Sequence, residues 1–234
     1  MQKSREKLVV YEKRIIAFID ILGFKNLVLH QELDKLDVVV RKLKYEFQNN
    51  YNGSFFDGAE FKKEVTWFSD SIVMSIEPSA IGDLTSAFYL LLMDMYYFQT
   101  ELLTSGILCR GGIAYGDVLH NKETIIGPSM IAAYLIESTQ KEPTIKIHKD
   151  TRQELIKDCD SDQKMIFDKL LVKHGHSPYY SLNFMMADDI DVYKDYKVKV
   201  AAVIHKGLQH ADTTIKEKYE WLYDFYQYHV ENNV

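Results

Sequence analysis

Several absences narrow the possibilities first. The chain has only two cysteines, Cys109 and Cys159. They lie in separate segments without metal-ligand spacing, which excludes a disulfide framework and fits a reducing compartment. A dense Lys/Arg block is also missing: 28 basic side chains against 34 acidic ones leave a net charge of -6. That balance argues against a nucleic-acid partner. No apolar run approaches the roughly 20 residues needed to span a bilayer, so no membrane association is expected. The opening MQKSREKLVVYEKR is charged and has no apolar core like that of a signal peptide, so the expected location is cytoplasmic. Internal repeats and low-complexity linkers are lacking too, and a single α+β domain is the default.

What is present is organised around residues 15–70. The run IIAFID is nearly continuous and apolar, as a strand buried on both faces requires. A helix opens on ILGF and continues through LVLHQELDKLDVVVRKLKYEFQ, with a break near His30. Leu33, Leu36, Val39, Val40, Leu43 and Phe47 give it one apolar face. The stretch VTWFSDSIVMSI then reads as a hairpin turning at Ser69–Asp70. A strand, a helical crossover and a hairpin form the first half of a βαββαβ split sheet, in which the strand after the turn lies antiparallel beside the first. Asp20 and Asp70 therefore come to one edge of one sheet. Two carboxylates at one spot are costly unless a cation sits between them. Taken singly, Asp20 also reads as a helix N-cap and Asp70 as a turn residue.

Further along, Glu77-Pro78-Ser79 ends the third strand and starts a helix to about Thr104. Phe88, Leu91, Leu92, Met95 and Phe98 share one side of it, and Tyr96–Tyr97 flank that side toward a partner subunit. ILCRGGIAY is the next strand, turning at Gly116–Asp117 into a hairpin with its tip near residues 121–123. Pro128 sits just inside the next helix, where its missing N–H costs nothing. Residues 144–148 read as a short strand and KDTRQELIKD as a helix. LLVKHGHSPYYSLNFM reads as a closing strand pair, and two helices follow from Asp188. His174 and His176 form a loop pair with no third ligand nearby, so zinc is not expected. His120, at a hairpin, is expected in solvent.

Four segments in register over residues 13–138 resemble class III nucleotidyl cyclases. FIDILGF resembles the first metal motif and WFSDSIVMSI the second. RGGIAYG and GPSMIAAYLIES lie where that family has R-x-G-I-x-x-G and G-x-x-V-N-x-A-x-R-x-E. The departures are Ser69 for the usual glycine, Thr66 where a purine-reading lysine is common, and Ile131 and Leu135 where the family carries its transition-state asparagine and arginine. This pattern is similar to the pyrimidine cyclases of bacterial antiphage Pycsar systems.

The resemblance implies a ferredoxin-like βαββαβ class III cyclase core with additional strands over residues 1–187 and a C-terminal helical extension over residues 188–234, packed on the same domain. It implies a cytosolic homodimer with active sites at the subunit interface. UTP or CTP would be converted to the 3′,5′-cyclic monophosphate and pyrophosphate, and the product read by a separate effector. Two Mg²⁺ or Mn²⁺ ions per site would be held by Asp20, Asp70 and the carbonyl of Ile21. N–H groups of Leu22, Gly23 and Phe24 at a helix N-terminus suit phosphates, and Gly23 allows close approach. With the usual arginine position occupied by Leu135, Arg110 is the candidate for phosphate charge stabilisation, a structural ion pair being the other reading. Arg14 and Arg41 are weaker alternatives. Thr66 is the base-reading position, with Trp67 and Tyr51 narrowing the pocket. Gly112 and Gly116 are read as serving strand geometry and close subunit packing. Tyr134 is read as a core residue, or as facing the partner's site. A catalytically inactive, nucleotide-binding module is the alternative class of function.

Overall fold

The computed structural model describes residues 9–47, 62–78, 83–173, 176–189 and 195–232. Tyr51, Ser79 and His174 lie outside them.

The first strand, β1 (Glu12–Leu22), occupies the middle of the sheet. It is followed by α1 (Phe24–Leu29), α2 (Leu33–Arg41) and a π-helical segment (Lys42–Phe47), then by the hairpin β2 (Lys62–Phe68) and β3 (Ser71–Glu77). Next come α3 (Leu84–Thr104), β4 (Leu108–His120), β5 (Ile125–Ile126), α4 (Pro128–Thr139) and β6 (Ile145–His148). The chain continues through α5 (Lys149–Leu155), α6 (Ser161–Leu170), β7 (Leu171–Val172), β8 (Tyr179–Leu182), a 3-10 turn (Phe184–Asp189), α7 (Tyr196–Leu208) and α8 (Thr213–Asn232). The strand order is β2-β3-β1-β4-β6-β8-β7. β1 runs antiparallel to both β3 and β4, which is the arrangement of a βαββαβ split sheet, and β6 joins β4 in parallel. The architecture is α+β.

β1 is buried on both faces because each has its own cover. Ile15, Ala17, Ile19 and Ile21 meet Phe88, Leu91, Leu92, Met95 and Phe98 of α3 in the larger core. Ile16 and Phe18 pack with Val73, Ala114, Val118 and Ala133 of α4 in a smaller one. At about 25 cal/mol per Å² of apolar surface, this two-sided burial makes β1 the element on which the sheet depends. α4 can lie so close to β4 because Gly112 has no side chain. A Cβ there would stand 2.2 Å from the Ala133 carbonyl oxygen and 2.6 Å from Ile136 Cβ. The contact is within this chain, so the expectation of subunit packing at Gly112 is corrected.

Other expectations are corrected as well. The break expected near His30 is present, at residues 30–32, and divides the first crossover into α1 and α2, but of the apolar face expected along it Leu33 and Val40 face solvent while Val39 and Leu43 are buried. α3 is capped by Asp83, whose carboxylate accepts from the N–H groups of Thr85 and Ser86. Tyr96 belongs to the core at 2% exposure and presents no face to a partner. β4 runs straight through Gly116–Asp117 and turns only after His120. α6 has no counterpart among the elements expected. The C-terminal helices bury Val200, Ile204, Leu222 and Phe225 in the larger core, with Phe225 stacked on Phe184 at 4.8 Å. Among the described residues no helix is long and apolar enough to cross a membrane.

Candidate functional site

Register brings the site together. Asp20 lies opposite Ser71 on one side and Arg110 on the other. The β2–β3 turn contains only Ser69 and Asp70, because Phe68 already pairs with Ser71. The Ile21 N–H donates to the Asp70 carbonyl at 2.9 Å, so the turn is tied to the end of β1. Ser69 takes a positive φ of 57°, a conformation that glycine adopts without strain. Asp20 does not cap α1. Gly23 holds the N-cap position in the left-handed region at φ 76°, with no side-chain cap.

Arg110 is shared. Its Nε lies 3.5 Å from Asp20 Oδ2 and 2.6 Å from Glu137 Oε1, and Nη1 donates to the Gln140 carbonyl at 3.0 Å. The Nε–H is not aligned on either carboxylate, so these contacts are ionic more than hydrogen-bonded. Burial pushes the Asp20 carboxyl above its ordinary value; Arg110 opposes the shift and the charge of Asp70 adds to it. Glu137, 3% exposed, is also raised by burial, with Arg110 opposing and Asp20 and Asp70 adding. Three carboxylates thus feel one another around a single guanidinium. Among the described residues one guanidinium faces three carboxylates, and a part-buried surplus of anions is costly unless cations complete it.

Glu137 had no role assigned from sequence. Its signal was a lone acid in the apolar helix segment SMIAAYLIES, since a buried carboxylate requires a partner.

The remaining candidates separate by position. Leu22 is the last residue of β1, Gly23 the cap and Phe24 the first helical residue, so the three are contiguous with Asp20. The Ile21 side chain is buried, leaving only backbone to face a ligand. Arg14 is remote from the site. It is fully buried near the other end of β1, where Nε donates to Ser75 Oγ at 2.8 Å and Nη1 contacts Glu12 and Glu77. Arg41 is an exposed residue of α2 paired with Asp37. Neither arginine is available to a phosphate at Asp20, so both alternatives are corrected.

Thr66 shares its sheet face with Phe18 through Val73, one row along from Asp20. Trp67 points to the opposite face and lines a groove of about 380 Å³ with Val40, Leu43, Lys44 and Val65. It does not narrow a pocket at Thr66. The Thr66 hydroxyl meets His120 Nε2 at 3.0 Å, while His120 Nδ1 meets Ser75 Oγ at 2.8 Å. Ser75 Oγ accepts from Arg14 and has its own proton free to give to Nδ1. In the tautomer that receives the Ser75 proton at Nδ1, the neutral ring carries its proton on Nε2 and donates to Thr66. His120 is 2% exposed, and burial, helped by Arg14, drops it to about 4. The expectation of a solvent-exposed His120 is therefore corrected.

On α4 the outer face is apolar. Ile131, Tyr134 and Leu135 are about half exposed or more, and the Tyr134 ring meets Phe18 edge-on at 5.5 Å. Tyr134 is not a core residue. Phe68, also on the Asp20 face, is 81% exposed.

Among the described residues no group of three or more Asp, Glu, His or Cys side chains forms a ready-made metal cage. The donors fit the hard cations in another way. Mg²⁺ takes one or two carboxylates and completes its octahedron with waters and substrate phosphates. Asp20 and Asp70 supply that number, in a place already short of positive charge.

No family model matches the sequence, and no curated protein does. Solved structures do match. The adenylyl cyclase CyaB from P. aeruginosa is 16% identical, over 74% of this chain and 95% of that one, with a TM-score of 0.44. An adenylate/guanylate cyclase/hydrolase from Silicibacter pomeroyi is 14% identical over 74% and 95%, with a TM-score of 0.43. A bacterial light-regulated adenylyl cyclase is 14% identical over 83% and 100%, with a TM-score of 0.40. These are likenesses of outline, and the functional reading rests on this chain's own residues.

Proposed function

We propose that this protein is a class III type nucleotidyl cyclase that converts a pyrimidine nucleoside triphosphate, UTP or CTP, to the 3′,5′-cyclic monophosphate. The observation that carries the reading is the anionic surplus at one sheet edge, where Asp20 and Glu137 share Arg110 and the charge of Asp70 acts on both. Divalent cations, Mg²⁺ or Mn²⁺, when bound there supply neutralisation of the triphosphate and acidification of the ribose 3′-hydroxyl. Asp20 and Asp70 would hold them, with the Ile21 carbonyl as a further ligand. The N–H groups of Leu22, Gly23 and Phe24 receive phosphate oxygens. The 3′-oxygen attacks the α-phosphorus, its proton passes to solvent, and pyrophosphate leaves. Arg110, beside Asp20, would set its charge against the developing negative charge of the phosphate.

The base preference rests on Thr66. In the tautomer in which His120 donates to its oxygen, the Thr66 proton is free for another acceptor. A pyrimidine carbonyl accepts such a proton, and the 4-carbonyl of uracil favours UTP over CTP. The apolar outer face of α4, with Ile131, Tyr134 and Leu135, supports a homodimer in which a second copy covers it and completes the site. The sequence resemblance supports a cytoplasmic role in antiphage defence, with a separate effector reading the cyclic product.

A second reading, a catalytically inactive nucleotide-binding module, is favoured by one observation: Ile131 and Leu135 are apolar and no polar group replaces them on that face. Incubating the protein with each of the four NTPs and Mn²⁺, followed by chromatography, separates the readings. The expected result is a cyclic pyrimidine nucleotide with equimolar pyrophosphate. No pyrophosphate from any NTP contradicts the enzyme reading.

A further inference from the structure

A cavity of about 560 Å³ lies on the far side of Arg110, between β4, the turn after α4, and the first turns of α8. Arg110, Lys141, Glu142, Glu217, Lys218 and Trp221 line it, together with Thr214. Its volume is that of a small-molecule site.

The balance of charge in this cavity is opposite to that of the carboxylate edge. Glu142 is already neutralised by Lys146 at 3.0 Å. Lys141 and Lys218 have no carboxylate partner among the described residues, and the Lys218 ammonium meets only the Thr214 carbonyl, at 3.1 Å. Arg110 spends Nη1 on Gln140 and Nε on the carboxylates, while Nη2 has no acceptor among the described residues. Two unpaired cations, Lys141 and Lys218, therefore face one unpaired acid, Glu217, and Arg110 stands between the cavity and the carboxylates with Nη2 uncommitted among the described residues.

The walls are held before any ligand arrives. Gln140 Nε2 donates to the carbonyls of Gly111 and Thr144, at 2.9 and 3.0 Å, which fixes the turn carrying Lys141. Trp221 is stacked on Phe225 at 5.0 Å, and Phe225 on Phe184. The N–H groups of Thr214 and Ile215 are taken by Asp212, so recognition falls to side chains.

We infer that this cavity is a second anion site, separate from the Asp20–Asp70 edge, that binds a pyrophosphate group through Lys141, Lys218 and Arg110. The anion is either free pyrophosphate or the polyphosphate of a nucleotide whose base lies against Trp221. Ammonium and guanidinium donors are the usual partners of phosphate oxygens. Because Arg110 borders both places, an occupant here competes with Asp20 and Glu137 for its charge and couples the cavity to the carboxylates. The site goes beyond the cyclase reading, which it uses only in the choice of probe.

The test is calorimetric titration of the full chain, in EDTA, with inorganic pyrophosphate and separately with UTP. Wild type is expected to bind without metal, and the double variant Lys141→Gln/Lys218→Gln to bind about tenfold more weakly or worse, as loss of two charge-assisted contacts requires. Both lysines are at least partly exposed, so the variant should fold, which circular dichroism verifies. UTP binding tighter than pyrophosphate, with the difference erased by Trp221→Leu, supports the nucleotide as ligand; equal binding supports free pyrophosphate. No binding of either probe to wild type, or unchanged affinity in the double variant, overturns the inference. Since no turnover is measured, a failure here is distinct from a failure of the cyclase reading.

Discussion

Each end of β1 has an arginine among acids, Arg14 of β1 itself at one end and Arg110 of the neighbouring β4 at the other, and the contrast between them separates a structural cluster from a chemical one. At the N-terminal end Arg14 meets Ser75, Glu12, Glu77 and the Lys62 carbonyl, while Lys62 adds a second cation against the same two acids. Charge there is balanced and the guanidinium has no exposure. At the C-terminal end Arg110 serves Asp20 and Glu137 with Asp70 close behind, and its side chain is 26% exposed. Charge there is in deficit and open to solvent. A fold that needed only an ion pair would close the second cluster as it closes the first. An arrangement that leaves anions in surplus is suited to receiving cations from outside.

The largest expected effect breaks this contrast directly. Asp70→Asn should reduce cyclase turnover by about a thousandfold or more, in the range typical for loss of electrostatic stabilisation, while leaving the melting temperature unchanged or raised. Arg14→Met should do the reverse at the other end. It should lower unfolding free energy by about 3 kcal/mol, because Glu12 and Glu77 lose their buried partner, as measured by denaturant unfolding. Equal stability losses in the two variants would erase the distinction.

His120 sharpens it through pH. Its folded value is depressed to about 4, whereas the unfolded value is near 6.5. As pH falls through that interval the unfolded chain takes up a proton before the folded one, so stability is lost between roughly pH 6.5 and 4. By proton linkage the loss is at most about 3 kcal/mol. Unfolding free energies of His120→Gln should lack this slope. A wild-type curve that stays flat from pH 7 to 4 would show that His120 is not held neutral beneath the sheet.

Smaller effects concern the geometry that places the carboxylates. Gly112→Ala should cost about 1–3 kcal/mol as overpacking, and moving α4 should weaken the hold of Glu137 on Arg110. Ser69→Gly should raise stability by about 1 kcal/mol by relieving the left-handed residue before Asp70. A decrease on thermal denaturation would mean that the Ser69 side chain contributes more than its strain.

Much of this is legible in the chain. The apolar run ending at Asp20, the crossover and the hairpin dictate an antiparallel β1–β3 pair by connection rules alone, and so the proximity of Asp20 and Asp70. Glu137 is harder to read, because a single acid in an apolar helix names no partner and the missing polar groups at Ile131 and Leu135 stand out beside it. α6 is absent from the elements expected although its start is written plainly: Asp160 and Gln163 form a capping box, a local signal readable without any structure. His120 is not legible at all. Its burial depends on the far half of β4 coming back over the sheet face onto Ser75 and Thr66, which hairpin position does not foretell. The partnering of Arg14 is hidden for the same reason, since Ser75 and Lys62 are distant in sequence.

The most direct test of the central claim is Mn²⁺ binding followed by electron paramagnetic resonance, in wild type and in the Asp20→Asn/Asp70→Asn double variant. The charge deficit at the C-terminal end of β1 requires that wild type bind Mn²⁺ and that the double variant lose it while remaining folded. Undiminished Mn²⁺ binding in the double variant would contradict the account.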